Sequence, residues 1–142
     1  MKVIYLFLFI CFSSFTNLSA QETTNYYKGL INNKPVRLYL KQQTNDCGAP
    51  DIYSAIYQYG NGKNWIELHI QTNNKGNFAM TEYLFTGVLI LNKKQNILEG
   101  VWISPDNKTH FKVVLNKQSL PAKLKEIFEE ALERTHYENY DC

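Results

Sequence analysis

An all-β fold is predicted: an eight-stranded antiparallel up-and-down meander closed into a barrel, followed by a C-terminal amphipathic α-helix. Three observations point to it. Between residues 25 and 116, runs of five to eight residues rich in Tyr, Val, Ile and Leu recur eight times, the pattern of strands. Short Asn, Gly, Lys and Asp clusters separate most of the runs, and links this short join only antiparallel neighbours, because a parallel return needs a crossover of about a dozen residues. From residue 120 the apolar spacing changes to that of a helix. An open meander leaves two unpaired edges that closure removes. At eight strands the interior either fills with side chains or holds one small ligand.

The chain of 142 residues divides into three parts. Residues 1–20 carry Lys2, an apolar run over 3–12, and a polar stretch ending Leu18-Ser19-Ala20, the order of a secretory signal peptide. The apolar run is well short of the ~20 residues that span a bilayer, and Ile10 before Cys11 does not suit lipid modification. Cleavage after Ala20 leaves a secreted or periplasmic chain with no stable membrane anchor. Residues 21–117 form the barrel domain. Residues 118–142 form a helix and tail docked on it.

Strands are predicted at 25–31, 35–42, 51–59, 64–72, 78–84, 86–91, 97–104 and 110–115. Asn32-Asn33-Lys34 and Gly60-Asn61-Gly62-Lys63 suit tight turns, since Asn and Gly tolerate positive φ. Only the link around Cys47-Gly48-Ala49-Pro50 is long. The join at Leu84-Phe85 leaves open whether the fifth and sixth strands are one bent strand. The second strand alternates Val36, Leu38 and Leu40 with Arg37, Tyr39 and Lys41, and the fourth alternates Ile66, Leu68 and Ile70 with Glu67, His69 and Gln71. Each therefore has one apolar face. In the tail, Leu120, Leu124, Ile127, Phe128, Ala131 and Leu132 make a helical stripe, with Pro121 in the first turn, Ser119 or Leu120 as the cap, and an end near His136.

Charge divides with the structure. The barrel carries 11 basic and 7 acidic residues and the tail 3 and 6, so an acidic helix is expected to dock in cis on a basic barrel. The whole chain is only +2, too little field for a nucleic-acid partner. Two cysteines remain after cleavage, Cys47 and Cys142. In an oxidising compartment they read as a disulfide, with two unpaired thiols as the other reading.

The runs Tyr27-Lys28-Gly29 with Lys34-Pro35-Val36, Tyr57-Gln58-Tyr59-Gly60, Ile66-Glu67-Leu68 and Leu98-Glu99-Gly100-Val101-Trp102 resemble small secreted bacterial β-barrel proteins of calycin type, the architecture of lipocalins and avidins. The resemblance spans roughly residues 26–115 and implies a ligand cavity with a helix outside the barrel. Gly100-Val101-Trp102 matches the lipocalin Gly-x-Trp in letters only, since that signature lies on the first strand and here it is on the seventh. No functional residue is carried over.

Tyr39, Tyr57, Tyr59, Trp65, Tyr83 and Trp102, with Tyr53, are the candidate ligand-binding residues. If their faces point inward they line a pocket with polar tips; otherwise they pack across strands as good β-formers. Glu67, His69, Glu82 and Glu99 are acid–base candidates. No nucleophile elbow, phosphate-cradling loop or metal-ligand spacing accompanies them, so neither enzyme activity nor a cofactor is expected. Lys63, Lys75, Lys93, Lys94 and Lys108 sit mainly in turns and read as solubilising. The function expected is non-enzymatic binding, of a small apolar or aromatic molecule in the barrel or of an envelope protein at its rim. The alternative is a protein-binding inhibitor or immunity factor against an envelope hydrolase or toxin.

Overall fold

A computed structural model describes residues 21–45, 47–73 and 75–141. Residues 1–20, where a signal peptide is expected, and Cys142 lie outside the described residues. Eight strands run in sequence order around a closed antiparallel barrel: β1 (Glu22–Ile31), β2 (Lys34–Gln43), β3 (Ile52–Tyr59), β4 (Ile66–Thr72), β5 (Asn77–Glu82), β6 (Val88–Lys94), β7 (Ile97–Ile103) and β8 (His110–Gln118). β1 closes the barrel on β8 through pairs from Tyr26 with Gln118 to Ile31 with Val113. Asn32 and Asn33, both at positive φ, make the β1–β2 turn, as two-residue hairpins require.

Most strands lie within three residues of expectation at each end, β1 and β8 running longer, and the boundary between the fifth and sixth has a specific cause. β5 stops at Glu82 and β6 starts at Val88, because Tyr83–Phe85 forms a 3-10 turn in which Leu84 and Phe85 take φ of 59° and 56°. The fifth and sixth strands are therefore separate. Apolar residues at positive φ carry no turn signal in sequence.

Gly29 and Gly100 share the inward alternation of their strands, and at both the backbone of the neighbouring strand stands where a side chain would begin. A Cβ at Gly100 would lie 2.0 Å from the Ile90 carbonyl oxygen, and one at Gly29 would lie 1.9 Å from that of Val114. Bare backbone at these points lets the sheet curve tightly enough to close.

The helix α1 (Ala122–Tyr140) starts after Pro121, which is itself the N-cap, and runs four residues past the predicted end. It lies along the outer wall. Phe128, fully buried, meets Tyr26, Tyr39 and Trp65 with ring centroids 4.9, 5.2 and 5.6 Å away. Leu120, Leu124, Ala131 and Leu132 complete the contact, whereas Ile127, expected in the stripe, is half exposed. Charge pairs hold the same end, but only one has the expected sense: Lys41 Nζ of the barrel lies 3.1 Å from Glu129 of the helix, whereas Lys125 of the helix reaches Glu22 of β1 at 3.1 Å, and Lys41 lies 3.0 Å from the same Glu22. The Lys41 hydrogen bond, then that of Lys125, keeps the Glu22 carboxyl below the usual glutamate range.

Candidate functional site

The lumen is occupied by the chain's own side chains. Tyr27, Leu38, Tyr57, Met80, Leu89 and Leu98 lead one contiguous buried cluster to which all eight strands contribute. Tyr27 brings its hydroxyl into this cluster without a partner among the described residues, and burial raises its pKa. Alternation alone could not decide between a filled and an empty interior; side-chain volume does.

The six candidate aromatics are not brought together. Tyr57, Tyr59 and Trp102 face inward, with Trp102 stacked on Phe111 at 5.3 Å. Tyr39 and Trp65 face outward under α1. There Tyr39 donates to Glu129, and burial first, then that carboxylate, raises its pKa strongly. Tyr83 lies on the 3-10 turn and donates to the Asn139 carbonyl at 2.6 Å, its ring 5.3 Å from Tyr140. Docking of Tyr83, Asn139 and Tyr140 accounts for the extra helical turn, a tertiary contact that no periodicity announces. Cys47 is exposed and joined to no described cysteine.

Of the acid–base candidates, Glu99 pairs with Lys94 at the surface, away from the others. Glu82 is 4% exposed and accepts three hydrogen bonds: from the Tyr57 hydroxyl, from Trp102 Nε1 at 2.6 Å and from Thr86 Oγ1 at 2.6 Å. Burial, then this carboxyl, pushes the Tyr57 pKa well up. The Glu82 N–H also donates to the Gly87 carbonyl, so the network fixes the turn that presents Leu84 and Phe85, 78% and 55% exposed. Glu82→Ala strands the Tyr57 and Trp102 donors, at about 1–3 kcal/mol for each left without a partner, while exposed Thr86 keeps solvent and the Tyr83 carbonyl. We expect it to lower the denaturant midpoint by several kcal/mol equivalent and to open the 83–86 turn to protease, while Glu82→Gln keeps most of both.

Glu67 and His69 belong to a different feature. β3 and β4 pair only from Tyr57 with Ile66 to Ala55 with Leu68, although β3 continues back to Ile52 and β4 on to Thr72. Beyond that last pair the two strands part. Tyr53 and Ile70 pack against the interior cluster yet stay only partly buried, as expected where the wall is open. A cavity of about 570 Å³ occupies this cleft, bounded by both strands and by Leu132, Glu133, His136 and Tyr140 of α1. Tyr53, which lines the cleft, meets Phe78 of the interior cluster edge to face at 5.8 Å.

The cleft is acidic. Glu67 accepts from His136 Nδ1 at 2.8 Å and Asn139 Nδ2 at 2.7 Å, and Tyr140 and His69 are 2.7 Å apart. Exposed Glu133 adds a second carboxylate, and neither Lys nor Arg is among the lining residues. Among the described residues no group of three potential ligands is placed to hold a metal ion.

No family model, curated protein or solved structure matches this chain. Its function is therefore argued from these surfaces alone. Sequence reasoning had Glu67 and His69 in view as one strand face, but the parting of β3 from β4 has no signal in either strand, since each alternates as a paired strand does. Arg37, Lys63 and Arg134, which meet on the other flank of α1, were also missed as a group.

Proposed function

We propose that the protein is a secreted or periplasmic, non-enzymatic binding protein that holds an extended, basic segment of a partner protein in the cleft between β3 and β4. The observation that carries this reading is the parted wall beside a filled lumen. Two strand edges that could pair with each other, residues 52–54 and 69–71, do not, and unpaired edges are templates for an added strand. Main-chain hydrogen bonds then supply affinity, and Glu67 and Glu133 select lysine or arginine side chains by charge. Kinship with secreted calycin-type bacterial barrels belongs to the same proposal, supported by strand count, connectivity and the helix outside the barrel. So do export by residues 1–20 and a Cys47 to Cys142 disulfide, for which the exposed Cys47 loop leaves room.

A blocked Lys-Val-Lys-Val-Lys-Val peptide is the probe. Calorimetry should detect its binding, weakened about tenfold or more when alternate amides are N-methylated, since each lost hydrogen bond is worth about 0.5–1.5 kcal/mol. A Glu-for-Lys peptide, or the Glu67→Gln/Glu133→Gln variant, should bind comparably less. Equal binding of the parent and N-methylated peptides would refute the proposal.

The Leu84 and Phe85 tip favours the second reading, an inhibitor or immunity factor against an envelope hydrolase or toxin. Its two apolar side chains are held outward in left-handed backbone conformations by the buried Glu82 network, and such ordered, strained tips are preorganised for insertion into a partner.

A further inference from the structure

On the flank of α1 opposite the acidic cleft, three cations from distant parts of the chain converge. Arg37 of β2, Lys63 of the β3–β4 connection and Arg134 of α1 line a cavity of about 660 Å³ together with Trp65, Ile127 and Glu138. Lys41, Lys94, Lys108 and Lys125 each have a carboxylate within 4 Å. Among the described residues none of the three converging cations does, and what sets them apart from the other unpaired lysines is that they line one cavity. Glu138 is the one acidic residue lining this cavity, so the site carries two uncompensated positive charges. Such a cluster is repulsive when empty.

The site is also built before any ligand arrives. The Arg37 guanidinium lies over the Trp65 ring, 5.3 Å from its centroid, and donates through Nη2 to Gln58. Gln58 is 1% exposed and in turn donates to the Gly62 carbonyl. Trp65 is held edge-on by Phe128. The buried Arg37 Nε has no acceptor among the described residues, while the guanidinium as a whole lines the cavity.

We propose that this cavity binds the dianionic phosphate of a monoester, with Arg37, Lys63 and Arg134 around the phosphate oxygens and the organic group against Ile127 and the exposed part of Trp65. A fixed planar guanidinium suits phosphate geometry, a dianion cancels the excess charge, and the volume is that of a small-molecule site. A soluble ester and a lipid headgroup both present this phosphate, and the two arms of the test separate them. The inference does not rest on the β3–β4 cleft, and its failure would leave that reading untouched.

The test follows the Trp65 indole N–H in ¹H–¹⁵N spectra, assigned by Trp65→Phe, while phenyl phosphate is added at low salt and pH 8. A saturable shift is expected, with phenol giving none and Lys63→Gln/Arg134→Gln raising the dissociation constant about tenfold or more. Both substituted side chains are exposed, so the variant should keep the parent spectrum elsewhere. Flotation with phosphatidylcholine vesicles containing phosphatidate is the second arm. Flotation that the double variant loses assigns the lipid source, and a phenyl phosphate shift without flotation assigns the soluble one. Absence of both, or binding undiminished in the double variant, overturns the proposal.

Discussion

Gly100→Ala should leave the chain largely unfolded or insoluble, with any folded fraction destabilised by more than about 3 kcal/mol. The new Cβ would stand 2.0 Å from the Ile90 carbonyl oxygen, 3.0 Å from its carbon and 3.1 Å from Leu91 Cα. Those atoms are paired backbone of β6 and cannot turn aside as a flexible side chain would. Relief requires β6 and β7 to separate where Leu91 and Gly100 pair, which breaks the ladder and lowers the curvature that closes the barrel. Gly29→Ala meets Val114 in the same way, across the β1–β8 closure. Equilibrium denaturation of both variants against the parent is the check. A stability within 1 kcal/mol of the parent, on the scale of an ordinary surface change, would show that the strands bend for another reason.

Phe128→Ala should cost about 3–5 kcal/mol, the usual range for a buried phenylalanine truncated to alanine. For a domain of this size that is a fall in Tm on the order of 10–20 °C. Phe128 is fully buried and joins the rings of Tyr26, Tyr39 and Trp65, so its loss uncouples α1 from β1, β2 and the β3–β4 connection together. The barrel interior is a separate cluster and should survive. Circular dichroism should therefore retain the strand signal, while limited proteolysis cuts within α1 under conditions that spare the parent. Loss of the two signals in one cooperative step would mean that the helix and barrel are a single folding unit.

Most of the barrel was legible in the sequence because its strands alternate cleanly and its turns are rich in Asn and Gly. The strand of Val36, Leu38 and Leu40, for example, is inward-apolar along its length. The helix was legible from its stripe, but its last turn depends on Tyr83 and His69 receiving Asn139 and Tyr140. The tight turn at Leu84 and Phe85 was not legible, because a buried Glu82, and not a glycine, holds it. The aromatic residues misled for a physical reason: Tyr and Trp serve equally well inside a barrel, under a helix and on a turn. Both candidate surfaces escaped notice because each depends on spatial convergence. Strand pairing decides the cleft, and Arg37, Lys63 and Arg134 meet only once α1 is docked.

Closing the β3–β4 cleft reversibly decides whether it holds the peptide. In the register set by Ala55 with Leu68, Ser54 would next face His69, and both side chains lie on the outer face. The Ser54→Cys/His69→Cys pair, in a Cys47→Ser/Cys142→Ser background, can be oxidised to hold the two edges at disulfide distance, about 5.5–6 Å between Cα atoms. Binding of the Lys-Val-Lys-Val-Lys-Val peptide should then fall at least tenfold and return when dithiothreitol opens the bond. Equal binding in the oxidised and reduced states would contradict the account.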